Sequence, residues 1–213
     1  MSNFIYSPND TFLARCWWQG SQRINVDAWE QVKHQLAAVW VQTGGRHARD
    51  SHDRYLQCEA QGRWVKNLEP NLYTTPTLQF WELFWFGAYT RGTPTDDKPR
   101  YYEIRPVDRV WSIGAWTLDY SASKASGYAG IWQASHVRGA ELAPEARLWT
   151  IDGMPRLGPT SGQRRYNMRL LVPGGKPLRR HERDGAIFLN VHQGEEGMVA
   201  MQIISKPHVT SQS

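Results

Sequence analysis

Apolar and polar side chains alternate most clearly in the last fifty residues. Tyr166, Met168, Leu170 and Val172 interleave with Arg165, Asn167, Arg169 and Leu171, the period-two pattern of a strand with one apolar face. Pro173-Gly174-Gly175 then reads as a turn, Leu178–Arg183 as a returning strand and Asp184-Gly185 as a two-residue hairpin loop. Ile187, Leu189 and Val191 mark a third strand, and Val199, Met201 and Ile203 a fourth. With a three-residue PGG loop, Leu178 falls opposite Leu170, and the Asp184-Gly185 turn sets Leu178 opposite Val191. The expectation is a four-stranded C-terminal meander over 163–205. One face collects Tyr166, Met168, Leu170, Val172, Leu178, Ile187, Leu189, Val191, Val199, Met201 and Ile203. Arg180 and Glu182 fall towards the end of this apolar side, which counts against the register.

The rest of the chain is less regular. TFLARCWW (11–18), RYLQCEA (54–60), YYEIRP (101–106), DRVWSIGAWTLDY (108–120), AGIWQASHV (129–137) and RLWTI (147–151) read as strands. DAWEQVKHQLAAVW carries Asp27 with Glu30 three residues on, as in a capping box, and Trp29, Val32, Leu36 and Val39 at helical spacing. A helix over 27–42 is expected. TPTLQFWELFWFGAY (75–89) is ambiguous: Thr75 followed by Pro76 favours a helix over 76–88, while its aromatic content favours a strand. The helix is the reading adopted. Strands follow one another without alternating helices, so the fold class expected is α+β, a single domain over 1–213. Its body is mainly antiparallel sheet or a partly closed barrel.

Charge sharpens this picture. The net charge is +5, and the excess gathers between Arg156 and Arg183. There Arg156, Arg164, Arg165, Arg169, Lys176, Arg179, Arg180 and Arg183 face Glu182 as the opposing acid. In the expected meander Arg165, Asn167, Arg169, Arg179, His181, Arg183, Phe188, Asn190, His192 and Gln202 share the polar face, with Arg169 directly opposite Arg179. Like charges so placed destabilise a sheet by up to about 1 kcal/mol, a penalty that a bound anion removes. Cations beside an outward ring are the composition that holds single-stranded nucleic acid: Arg and Lys neutralise phosphates and the ring stacks on a base. The expected interface is Arg165, Arg169, Lys176, Arg179 and Arg183, with Phe188 stacking. RNA or DNA is the expected partner, with other protein subunits as a further class because exposed tryptophan suits binding hot spots.

A different class of function is set by the eleven tryptophans. An antiparallel sheet can close into a barrel around a small apolar ligand, or act on it as a small enzyme. Trp111, Trp116 and Trp132 are then the candidate wall. Catalytic signatures are lacking. His47 and His52, with Asp50 and Asp53, fit no metal spacing. His181 and His192 are not direct partners in the expected register, and Ser123 and Lys124 lack the spacing of serine acylases. Neither a GxGxxG nor a GxxxxGK[ST] loop occurs. No cofactor or metal is expected, and the function class is non-catalytic binding. Cys16 and Cys58 form no framework and MSNFIYSPNDTF has no leader pattern, so the expected location is the cytoplasm. The run LQFWELFWFGAY carries Glu82 and is too short to span a bilayer.

Overall fold

The computed structural model describes residues 4–25, 29–32, 34–42, 54–58, 77–93, 95, 98–107, 116–120, 127–133, 148–155, 159–183 and 186–205. Its strands are β1 (Phe4–Tyr6), β2 (Phe12–Gly20), β3 (His34–Gln42), β4 (Arg54–Cys58), β5 (Thr77–Trp81), β6 (Leu83–Arg91), β7 (Tyr101–Val107), β8 (Trp116–Tyr120), β9 (Ala129–Gln133), β10 (Thr150–Asp152), β11 (Arg164–Leu171), β12 (Arg179–Arg183), β13 (Ala186–Asn190), β14 (Glu195–Glu196) and β15 (Met198–Ser205). They form an antiparallel sheet curled into a half-barrel, with almost no helix. Among the described residues helix is confined to two 3₁₀ turns, Pro8–Asp10 and Trp29–Gln31.

The main path through the sheet runs β10-β11-β15-β2-β3-β4-β13-β12-β14. Curvature comes from strands that change neighbours. β5 and β6 follow one another across a break at Glu82, the first pairing with β3 (Val39 opposite Phe80) and the second with β2 (Ala14 opposite Phe84). β2 pairs with β3 further along, where Trp17 lies opposite Gln35. A run that leaves one partner for the next in this way turns a corner in the sheet.

Both expected helices are strands. The stretch expected as a helix over 27–42 supplies the Trp29–Gln31 turn and then β3, and the one over 76–88 supplies β5 and β6. The reason is burial on both faces. Leu36, Ala37, Ala38 and Val39 are all buried, as are Phe84–Thr90, so the period-two signature of a half-buried strand is lost and apolar spacing mimics a helix. Gly87 makes this possible in β6: the indole of Trp85 lies where a Cβ would stand.

The C-terminal strands sort their side chains without forming a four-stranded meander. Ten of the eleven residues expected on the apolar face are buried in the main core, from Met168 to Ile203, the exception being half-buried Tyr166. The β12–β13 hairpin forms in the expected register, Arg183 opposite Ala186. Leu178 donates its N–H to the Leu170 carbonyl at 3.1 Å across the PGG turn. Pairing departs there: β11 and β12 meet at the Leu171–Pro177 bridge and separate. β11 joins β10 and β15, while β13 pairs with β4 and β15 with β2. The core needs inward apolar residues from every strand, and that alternation does not specify which strands are neighbours.

The core on the inner face joins Phe12, Ala14, Cys16 and Trp18 of β2 to Leu36, Leu56, Phe86, Ile104, Met168 and Met201. Trp149 is fully buried, its Nε1–H donating to the Leu118 carbonyl at 2.8 Å. Between Cys16, Leu36, Leu56, Phe86 and Leu170 a void of about 10 Å³ remains. This is room for about one water and too little for a ligand.

Candidate functional site

The outer face of β2, β15 and β11 carries a cluster of rings and cations. Register places Arg15 opposite Gln202 and Gln202 opposite Arg164, so the two arginines stand two strand spacings apart, about 10 Å. Both are exposed. The Arg164 guanidinium sits 4.8 Å from the centre of the Trp29 ring. Trp29 meets Trp17 of β2 at 4.8 Å and 74°, and Tyr166 of β11 at 5.5 Å and 77°. All three rings are half-buried. A guanidinium over an indole is favourable by about 0.5–1 kcal/mol at such sites, and Arg, Trp and Tyr are the residue types that dominate binding hot spots.

Tyr166 reaches this face because β11 contains a bulge. Between Arg165, opposite Met201, and Met168, opposite Val199, β11 advances three residues while β15 advances two. The extra residue is centred on Asn167, whose φ of 58° is left-handed. Side-chain parity flips across it. Tyr166, expected inward, stands outward beside Arg164; Arg165, expected outward, shares the side of Met201. Arg165 is half-buried there, donating from Nη2 to Gln163 Oε1 at 2.6 Å while its Nε finds no hydrogen-bond partner among the described residues.

The expected interface residues are therefore divided. Arg169 is outward on β11, with Asp152 of β10 as its cross-strand neighbour. Arg169 and Arg179 are not opposite one another, but both approach one carboxylate, Glu196, at 3.9 and 3.3 Å. Arg179 also donates to the Gly194 carbonyl at 3.2 Å. Glu196 thus supplies the anion that the like-charged pair was expected to seek in a ligand. Lys176 is exposed on the PGG turn and Arg183 at the end of β12. Phe188 does not present a free ring: it packs near-perpendicular to Tyr55 at 5.5 Å and Tyr128 at 5.4 Å, with His181 6.0 Å from Tyr128. Among the candidate wall tryptophans, Trp116 is half-buried against the core, Trp111 lies outside the described residues, and Trp132 is in β9 with its side chain outside the description. The histidine-containing loop at 47–53 also lies outside the described residues, and among those described no group of three or more His, Cys, Asp or Glu could hold a metal ion.

Two further arrangements involve ionisable groups. On the outer face of β6 and β7, buried Arg105 donates to Glu103 Oε2 at 2.7 Å and lies 5.1 Å from the Trp85 ring centre, while the Tyr89 hydroxyl donates to the same Glu103 oxygen at 3.4 Å. Burial, then the Glu103 charge, pushes the Tyr89 hydroxyl well above the ordinary tyrosine value; burial raises Tyr6 as well. The second is an open cleft of about 400 Å³ lined by Lys98, Arg100, Tyr102, Ile151, Met154 and Leu171. Its cations are engaged: Arg100 pairs with Asp10 at 2.5 Å and Lys98 donates to the Thr93 carbonyl at 2.7 Å. Tyr102 is held above its ordinary value by burial and by the Asp10 charge.

Among the described residues no helix is long and apolar enough to cross a membrane. Comparison with protein-family models, with curated proteins and with solved structures found no match.

Proposed function

We propose that the chain is a non-catalytic binding protein that holds a polyanion, of which single-stranded nucleic acid fits the chemistry best, on the outer face of β2, β15 and β11. The observation that carries this is the Arg164 guanidinium over Trp29, a ring that also meets Trp17 and Tyr166, with Arg15 in the same register row two strands away. Phosphates are neutralised by guanidinium groups and bases stack on ring surface without sequence preference. Charge and ring surface bind; neither activates a bond. Arg169 of β11 and Arg179 of β12 extend the surface, with their charge offset by Glu196. Phe188 has no part in it, and Trp29 and Tyr166 take the stacking role.

The 400 Å³ cleft beside Tyr102 favours a second reading, a small apolar ligand, because its volume falls in the range of ligand pockets. Fluorescence anisotropy of a labelled single-stranded oligonucleotide separates the two. An Arg15→Ala/Arg164→Ala variant that keeps the native circular dichroism spectrum should bind at least about tenfold more weakly, each charged contact being worth on the order of 1 kcal/mol. Equal affinity of variant and parent would move the site elsewhere. No binding by either would leave the cleft reading standing.

A further inference from the structure

We infer that Asn167 is a positioning residue for the ring cluster, an inference that rests on the binding reading above. Trp29 belongs to a short 3₁₀ turn between β2 and β3. A three-residue turn has little structure of its own to hold a large ring in place. In the chain leading to it, both backbone polar groups of Ile24 are held by one side chain. The Asn167 carboxamide pairs with both backbone polar groups of Ile24: Oδ1 accepts the Ile24 N–H at 2.9 Å and Nδ2 donates to the Ile24 carbonyl at 2.9 Å. It thereby does for residue 24 what a neighbouring strand would do.

Gln19 closes the arrangement. Its Oε1 accepts the Asn167 backbone N–H at 2.8 Å, and its Nε2 donates to Asn167 Oδ1 at 2.6 Å and to the Gln22 carbonyl at 2.8 Å. The same residue also makes the bulge. Asn167 is the one non-glycine with positive φ among the described residues, and asparagine tolerates that region better than most side chains. Without the extra residue, Tyr166 would point into the core rather than at Trp29. Asn167 therefore acts twice on one site, turning Tyr166 outward and fastening the chain at Ile24, five residues before Trp29.

Asn167→Gly separates these actions, since glycine adopts the left-handed backbone freely and lacks the amide. The bulge should survive and the tether should not. Three measurements decide the matter. In the ligand-free protein, acrylamide quenching attributed to Trp29 by difference against Trp29→Phe should increase in Asn167→Gly. Oligonucleotide affinity should fall about as far as in Trp29→Ala, roughly five- to tenfold, as for loss of one stacked base. In a double-mutant cycle, Asn167→Gly should cost little further affinity once Trp29 is alanine, because it acts through that ring. Full additivity, or unchanged quenching, would overturn the inference. If the parent protein binds no oligonucleotide, the binding reading fails while the quenching result still decides whether Asn167 places Trp29. If Asn167→Gly does not fold, Asn167→Asp, which keeps Oδ1 and loses the Nδ2 donor, takes its place and should raise quenching to a smaller degree; no rise would again overturn the inference.

Discussion

Replacing Glu196 by glutamine should trade stability for affinity. Glu196 is the carboxylate that Arg169 and Arg179 share, at 3.9 and 3.3 Å. These side chains are a third to a half exposed, so the two ion pairs together contribute on the order of 0.5–1 kcal/mol. Their loss should lower the melting temperature by about 1–4 °C for a chain of this size. Binding should respond in the opposite direction. Removing one negative charge at roughly 7 Å from a bound phosphate relieves about 0.6 kcal/mol in water, about a threefold gain in affinity. If one freed arginine engages a further phosphate, the slope of log affinity against log salt steepens by about 0.7. Differential scanning fluorimetry and oligonucleotide anisotropy at several salt concentrations measure both effects. A melting temperature that falls while affinity and slope stay fixed would show that Arg169 and Arg179 lie off the bound path.

Three other expectations follow from the packing. Gly87→Ala should cost about 1–3 kcal/mol or more in denaturant unfolding, since the Trp85 indole occupies the position of the new methyl; a change within about 0.5 kcal/mol, the usual spread for a neutral site, would mean the indole lies elsewhere. Cys16 and Cys58 are buried, and burial pushes the Cys16 thiol far above its ordinary value, so iodoacetamide at pH 8 should label neither until the protein unfolds. Rapid labelling of Cys16 in the native state would contradict the packing around it. Tyr89 and Tyr102 have hydroxyl values raised in the folded state, so the native state keeps protons that the unfolded chain gives up near pH 10. Their stabilising contribution is whole below that pH and is lost as pH rises towards the folded-state values. An ultraviolet titration at 295 nm, monitored with circular dichroism, should show these tyrosines ionising together with unfolding; smooth ionisation with the fold intact would refute it.

What the sequence made legible was the sorting of side chains wherever one face of a strand is wet. From Met168 to Ile203 the ten apolar residues expected inward are buried, although Asn190, expected on the polar face, is fully buried too, and the hairpin expected at Asp184-Gly185 joins β12 and β13 in the expected register. Strands buried on both faces were not legible as strands, because Leu36–Val39 and Phe84–Thr90 carry no polar residue at every second place and their apolar spacing satisfies a helix equally well. Strand order was hidden for a different reason: β11 and β12 begin the expected pairing at Leu171–Pro177 and then part, β11 lying between β10 and β15 and β12 between β13 and β14, and inward apolar residues alone do not choose between such neighbours. The candidate site moved through one residue. Asparagine is depleted within strands, so Asn167 inside RRYNMRLL was a sign that the alternation breaks there. A bulge at that asparagine exchanges Arg165 for Tyr166 on the outer face. Trp29 had no such signal, since its role depends on the amide contacts between Asn167 and Ile24.

The most direct test of the binding surface is the salt dependence of the parent protein's affinity for a single-stranded oligonucleotide. Two exposed arginines, Arg15 and Arg164, flanking half-buried rings call for affinity that falls with added salt along a log–log slope of about −1.4, at roughly −0.7 for each phosphate neutralised on a single strand. A residual affinity should persist at high salt, supplied by the rings. Undetectable binding at low salt, or affinity indifferent to salt, would contradict the account.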